Sequence, residues 1–359
     1  MAITIKDIAL KAGVSHMTVS RALNGSKLVT DETREKILLL AKQLKYKPNL
    51  HAKGLVLNKK FSIAVVFSTL SSKTAPSFLL SCLNGVYQSL TKDYNLVIKD
   101  LSQGLEHFNL SRADGIIFVS QQESDDEFIR FALAQCTKLV VVNRKIALPN
   151  VVSITVDEIS AAEMAVNYLL QRDYRKIACI NGPELIQSSI DRLAGYQNAL
   201  TQANLTSAAD FVQDGSFSIA GGFIAMQRLL ALEDQPDAVF CANDEMAIGA
   251  LKAINDAGLK VPSDIGLVGF NDSEICQYTT PSLTTIHKPI EQMAKLGGEI
   301  LFQLISNIAT KNAQEVAKKA LQRYKTFSNN LRYCNKNYRL LLFPVTELVA
   351  ELVIRDSVR

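Results

Sequence analysis

From Ser62 onward the sequence alternates short β-branched runs with amphipathic stretches, and this alternation constrains the fold more than any single motif does. SIAVVFS, NLVIKD, GIIFVS, KLVVVN and VSITVD come first, followed by KIACING, DAVFCAND and DIGLVGF. Helical periodicity separates most of them. Runs that are apolar at successive positions are buried on both faces, which calls for parallel sheets covered by helices. Two sheets fit the length, one over roughly 62–157 and the other over 174–280, with PSLTTIHKPI crossing back to the first. The expected class is therefore α/β with a helical head before it.

That head begins with TIKDIALKAGVSHMTVSRALN, residues 4–24. Ile5, Ile8, Ala9 and Ala12 recur at helical spacing, Gly13 breaks the helix, and Val14 fills the turn. Ser15 is placed to cap a second helix from His16 to Leu23, whose inner face is read as Val19 and Leu23. His16, Met17, Thr18, Ser20 and Arg21 then point outward. This is a helix-turn-helix pattern, although short helix pairs joined through glycine also occur without any nucleic acid. TDETREKILLLAKQLKY gives a third helix with Thr30 as cap and Ile37, Leu40, Ala41 and Leu44 as its stripe. Through residue 60 the chain carries ten Lys and two Arg against four acidic residues, a net of +8. Such a charge suits a polyanion, and a Lys-rich solvated face is the alternative.

The order TIKDIA, AGVS, TVSRALN, a YKPN stop and HAKGL resembles the head and hinge of the lactose/galactose repressor (LacI/GalR) family of bacterial transcription regulators. The resemblance implies a repressor that binds operator DNA. It implies that His16, Met17 and Arg21 read base edges, that Thr4, Thr18 and Ser20 meet phosphates, and that Ser15 and Asn24 complete the DNA-facing set. It further implies hinges that fold on the operator and pair in the minor groove, with Leu55 as a wedge and Ala52 and Lys53 beside it. An apolar wedge offsets unstacking through the contacts a bent duplex permits. Asn49, Lys53 and Gly54 equally suit a flexible linker.

GSFSIAGGFIAM, ACINGP and TTIHKP resemble the ribose and purine repressor branch, so the α/β part is similar to a periplasmic sugar-binding protein. The implied organisation is a DNA-binding head at 1–47, a hinge at 48–60 and an effector-binding, dimerising core at 61–359. Within the core, an N-subdomain covers about 61–158 and 288–305, and a C-subdomain about 159–287 with the C-terminal part. Ligands of open parallel sheets bind beyond the carboxyl ends of the strands. Arg144, Asp157, Asn243, Asp244 and Asn271 lie at such ends, and Arg192 stands in a helix. Phe78 and Phe217, read as loop residues, could cover the apolar face of a sugar. The resemblance carries Phe78, Asp157, Arg192, Phe217 and Asp244 over to effector contact. The family usually has Asp where this chain has Asn271. A sugar is preferred as effector because Arg144 and Arg192 are the only basic residues evident for an anionic one. Asp244 alone could instead cap the helix that follows it.

Two departures bear on that expectation. Only LSQGLEHFNLSR joins NLVIKD to ADGIIFV, so the first sheet is expected to have one uncovered face. Residues 306–337 form an atypical insert, with seven Lys/Arg and one Glu over 311–336, a net of +6. These keep open a regulator with altered effector response or dimerisation. No Walker loop, GxSxG or HExxH appears, and an enzyme is not expected. Six cysteines at 82, 136, 179, 241, 276 and 334 form no CxxC pair, so neither a zinc site nor a disulfide framework is suggested, and no cofactor is expected. No apolar run approaches the ~18 residues of a membrane span, and MAITIKDIA lacks the pattern of a signal peptide. The expectation is a cytoplasmic homodimer, with pairing of dimers left open.

Overall fold

The computed structural model describes residues 3–46 except 24 and 27, residue 54, residues 59–306 except 71–73, 106, 107, 136, 147, 149 and 150, and residues 345–359. The expectations for Asn24, Ala52, Lys53, Leu55, Cys136, Cys334 and the body of the 306–337 insert lie outside the described residues. The described chain divides into two compact units, residues 1–60 and 61–359.

In the first unit, α1 (Ile5–Ala12), α2 (His16–Leu23) and α3 (Asp31–Gln43) enclose Ile8, Ala12, Val19, Ala22, Val29 and Ile37. Gly13 ends α1 in the left-handed conformation, φ +70°, where a side chain would be strained. The inner face of α2 differs from its sequence reading: Ala22 is buried, whereas Leu23 is only partly covered. Two side chains of α3 bind the unit together. Arg34 pairs with Asp31 at 2.6 Å and donates to the carbonyls of Ser26 at 2.8 Å and Val29 at 3.2 Å. Lys36 donates to the Ala12 carbonyl at 3.2 Å, satisfying a free group at the end of α1.

The second unit has two lobes, each a six-stranded sheet. The first sheet runs β11-β5-β4-β3-β1-β2 and is parallel throughout. Its strands are β1 (Ser62–Phe67), β2 (Asn95–Asp100), β3 (Gly115–Val119), β4 (Leu139–Val142), β5 (Val152–Val156) and β11 (Val345–Leu348). α4 (Pro76–Ser89) and α10 (Ile290–Ser306) cover one face, and α5 (Asp126–Ala134) lies on the other. Among the described residues, the connection between β2 and β3 includes two short turns, Leu101–Gln103 and Leu110–Arg112. They set Leu110 into the core formed by Phe118 and Phe128 but leave Val97 on β2 38% exposed.

The second sheet runs β12-β10-β9-β8-β6-β7. Its strands are β6 (Ile177–Asn181), β7 (Val212–Asp214), β8 (Ala238–Cys241), β9 (Gly266–Asn271), β10 (Thr284–His287) and an antiparallel β12 (Glu351–Val353). α6 (Glu158–Gln171) and α7 (Gln187–Gln202) pack on one face; α8 (Ile219–Leu230) and α9 (Asp244–Asp256) pack on the other. The chain passes between lobes after β5, after β10 and between β11 and β12. The C-terminal part is therefore shared: Val345–Leu348 pairs with Val152–Val156 in the first sheet, and Glu351–Val353 pairs with β10 in the second.

Gly222 is where α8 meets α9. A Cβ there would lie 2.2 Å from the Met246 carbonyl oxygen, so the helices could not keep their separation. Gly222→Ala is expected to destabilise this unit by roughly 1–3 kcal/mol through overpacking, measured by urea unfolding of the ligand-free protein. An unchanged midpoint would show that the helices separate without cost.

Candidate nucleic-acid face and ligand cleft

On α2, His16, Met17 and Arg21 are exposed, while Thr18 and Ser20 are partly covered. Ser15 Oγ accepts from the Thr18 backbone at 3.1 Å and so caps the helix. Thr4 donates through both its backbone nitrogen and its hydroxyl to Asp7 Oδ2, each at 2.7 Å. Those bonds hold the Asp7 carboxyl below its ordinary range, the backbone donor contributing most. Met17, 51% exposed, is an apolar side chain held outward by a helix whose other face is core. Such a helix presents hydrogen-bonding and apolar groups together, the combination that base edges require.

The cleft lies where strand ends of both lobes converge. Phe78, Arg192, Phe217, Asn243 and Asn271 line one cavity, together with Thr74, Gln121, Asn143, Ile186, Ser188 and Lys288. Phe78 belongs to the first turn of α4 rather than to a loop. Asn143, Phe217 and Asn271 all have positive φ, at +83°, +53° and +112°. Left-handed backbone is strained for residues with a side chain, and its accumulation around one cavity marks a site whose geometry is imposed by its surroundings. The Phe217 ring lies against Gly182, where a Cβ would come within 2.2 Å of it.

The electrostatics turn on Glu158, the first residue of α6 and buried. It takes Arg192 Nε at 2.7 Å on one oxygen and Lys288 Nζ on the other. Burial would raise its pKa, but the two cations outweigh burial and bring the carboxyl to about 2. Burial lowers the Lys288 pKa, and Glu158 opposes that shift. Lys288 also donates to Asn143 Oδ1 at 2.7 Å. Arg192 donates to the Ala242 carbonyl and stacks on Phe270 at 3.8 Å.

Three residues expected at the effector do not line this cavity. Arg144 is occupied by Asp126 and by Ser120 Oγ at 2.8 Å, within a network in which Asp125 also gathers Ser68, Ser120 and two backbone N–H groups. Asp157 is exposed and caps α6, accepting from Ser160 at 3.0 Å. Asp244 is fully buried, held by the Ser273 backbone at 2.7 Å and by Thr285 Oγ1 at 2.6 Å. The cap of α9 is Asn243, which accepts from Met246 at 2.9 Å.

The sequence reading missed Lys288, Gln121, Asn143 and Glu158. The strand-end rule could have found three of them, since Asn143 directly follows β4, Lys288 directly follows β10 and Gln121 stands just beyond β3. Glu158 stands just as close beyond β5, but its type gave no hint that it would gather cations rather than a ligand. Its partners come from residues 34 and 130 positions away.

Burial raises the Asp244 carboxyl to about 6 despite its hydrogen bonds. The folded protein therefore holds this proton more tightly than the unfolded chain does. The associated stability is full below pH about 4 and lost as pH rises through about 6, on the order of 2–3 kcal/mol. Asp244→Asn is expected to gain that amount relative to the parent protein between pH 4.5 and 7, followed by thermal unfolding. A pH-independent gap between the two proteins would refute the shift.

Comparison with known proteins agrees with this geometry. Residues 4–49 match the family described as bacterial regulatory proteins, lacI family, and residues 166–323 match a periplasmic binding protein-like domain. The chain is 41% identical over 311 residues to the "Probable HTH-type transcriptional repressor ExuR" of Bacillus subtilis, covering 86% of this chain and 93% of that protein. It is 33% identical over 312 residues to the ribose operon repressor of Haemophilus influenzae, covering 85% and 92%. The lac repressor dimer bound to operator and the anti-inducer ONPF superposes with a TM-score of 0.77 at 25% identity, covering 99% of each chain. The complex of the transcriptional regulator CelR with cellobiose gives 0.66 at 26% identity, again covering 99% of each.

Proposed function

Because the chain belongs to the lacI family of bacterial regulatory proteins, which are DNA-binding transcriptional repressors with small-molecule effectors, we propose that α2 reads operator DNA and that the cleft holds the effector. The observation that carries the effector reading is the convergence of Asn143, Phe217 and Asn271, all at positive φ, on one cavity between the lobes. Among the described residues, the cavity lining comes from outside the short β2–β3 connection. The proposed base-reading residues are His16, Met17 and Arg21, with Thr4, Thr18 and Ser20 near phosphates. Phe78, Arg192, Phe217, Asn243 and Asn271 are the proposed effector residues.

Effector binding acts on contacts that join the lobes. Gln187 N donates to the Gln121 carbonyl at 2.8 Å, Ser77 donates to Glu245, and Lys288 bridges Asn143 and Glu158. A ligand that favours one arrangement of these bonds shifts the equilibrium by its difference in affinity for the two states. The working unit is proposed as a cytoplasmic homodimer, since paired heads address paired half-sites. Leu80 and Tyr87 on α4, and Ile275 and Tyr278 in the second lobe, are 51–73% exposed and supply apolar surface for it.

Arg21→Ala is expected to lose roughly 1–3 kcal/mol on operator DNA and much less on random DNA, read by fluorescence anisotropy. Equal loss on both would assign Arg21 to phosphate. Asn271→Ala is expected to weaken the effector about tenfold or more while leaving ligand-free DNA affinity unchanged. Calorimetry with a ligand found by thermal shift over sugars, sugar acids and nucleobases tests this. Parent affinity in the variant would place the effector elsewhere.

A further inference from the structure

Resting on the reading of the cleft as the effector site, we infer that the effector is a polyhydroxylated carboxylic acid carrying one negative charge, its carboxylate seated against Lys288 and Arg192. Among the described residues, two cations and no anion line the cavity. Behind them Glu158 neutralises one positive charge, using both of its oxygens. The side chains of Lys288 and Arg192 are 1% and 4% exposed, so the remaining charge is withheld from water. A buried surplus charge is costly unless a counter-charge joins it. Two other carboxylates stand nearby and do not line the cavity. Asp191, half-buried, accepts from Gln187 at 2.8 Å and offsets part of that surplus charge from behind, and Glu245 is held by Ser77 on α4 through one oxygen only among the described residues. Lys288 has two of its three ammonium protons engaged among the described residues, by Asn143 and Glu158.

The cavity also shows what the rest of the ligand must offer. Gln121 Oε1 and Asn271 Oδ1 are buried acceptors with no partner among the described residues. A carboxylate has no proton to give them, whereas hydroxyl groups do. Phe78 and Phe217 add apolar walls suited to the C–H face of a sugar ring. The demand is thus for one anionic group, several hydroxyls and an apolar face. A neutral sugar leaves the surplus charge unmatched, a nucleobase lacks the anion, and a phosphate monoester brings nearly two charges against one. The preference for a sugar drawn from the sequence is altered by Lys288, a cation that reading did not count.

The test uses the full chain, with D-glucose and D-galactose compared with D-glucuronate, D-galacturonate and D-gluconate, alongside glucose 6-phosphate and adenine. Thermal shift and calorimetry are expected to show binding by at least one acid at least tenfold tighter than by its neutral counterpart. Lys288→Gln should abolish that preference while Lys288→Arg, which keeps the charge, restores most of it. A neutral sugar, phosphate ester or nucleobase that binds as tightly as the acids would overturn the carboxylate inference and leave the cleft reading standing. An acid whose affinity is untouched by Lys288→Gln would overturn both, because the ligand would then sit elsewhere. Absence of binding by the whole panel at millimolar concentration would also overturn the inference.

Discussion

One buried carboxylate ties together two of the three places where the chain changes lobe. Glu158 follows the first crossing, Lys288 follows the second, and both its oxygens are occupied, with Arg192 of α7 completing the group. Removing one partner of a buried pair typically costs about 3–5 kcal/mol, because the charge left behind stays out of water. Here the loss of Glu158 would strand two cations. Two of these residues, Arg192 and Lys288, also line the cavity, so the group sets part of the charge of its wall.

Around this group the strand ends depart from unstrained backbone. Asn143, Phe217 and Asn271 accept left-handed backbone, each conformation costing on the order of 1–3 kcal/mol. Asn243 spends its oxygen on the cap of α9 and its amide on the Phe217 carbonyl at 3.2 Å. The side chains proposed to meet a ligand are thus held in place by the protein itself, which reduces the ordering that binding would have to supply.

Much of this was legible in the sequence, for identifiable reasons. SIAVVF, GIIFV and AVFC are apolar on both faces and could only be interior strands, so two covered parallel sheets followed. Arg192 and Phe217 could be transferred by motif to the cavity. Arg144 and Asp244 misled because a charged residue at a strand end serves binding and local bracing equally well in one dimension. Only the positions of Asp126, Ser120, Ser273 and Thr285 decide between them. The short strands β7, β11 and β12 carry too few residues for a period to show.

The shared C-terminal strands have a bearing on synthesis. Residues 345–348 complete the edge of one sheet and residues 351–353 the edge of the other, so both lobes wait for the same short stretch of chain. The three-helix unit, whose contacts lie among residues 5–46, can close as soon as it leaves the ribosome. During translation a competent DNA-reading surface therefore precedes the finished sensor. A chain halted before residue 345 would carry the three-helix head ahead of two sheets that each lack an edge strand.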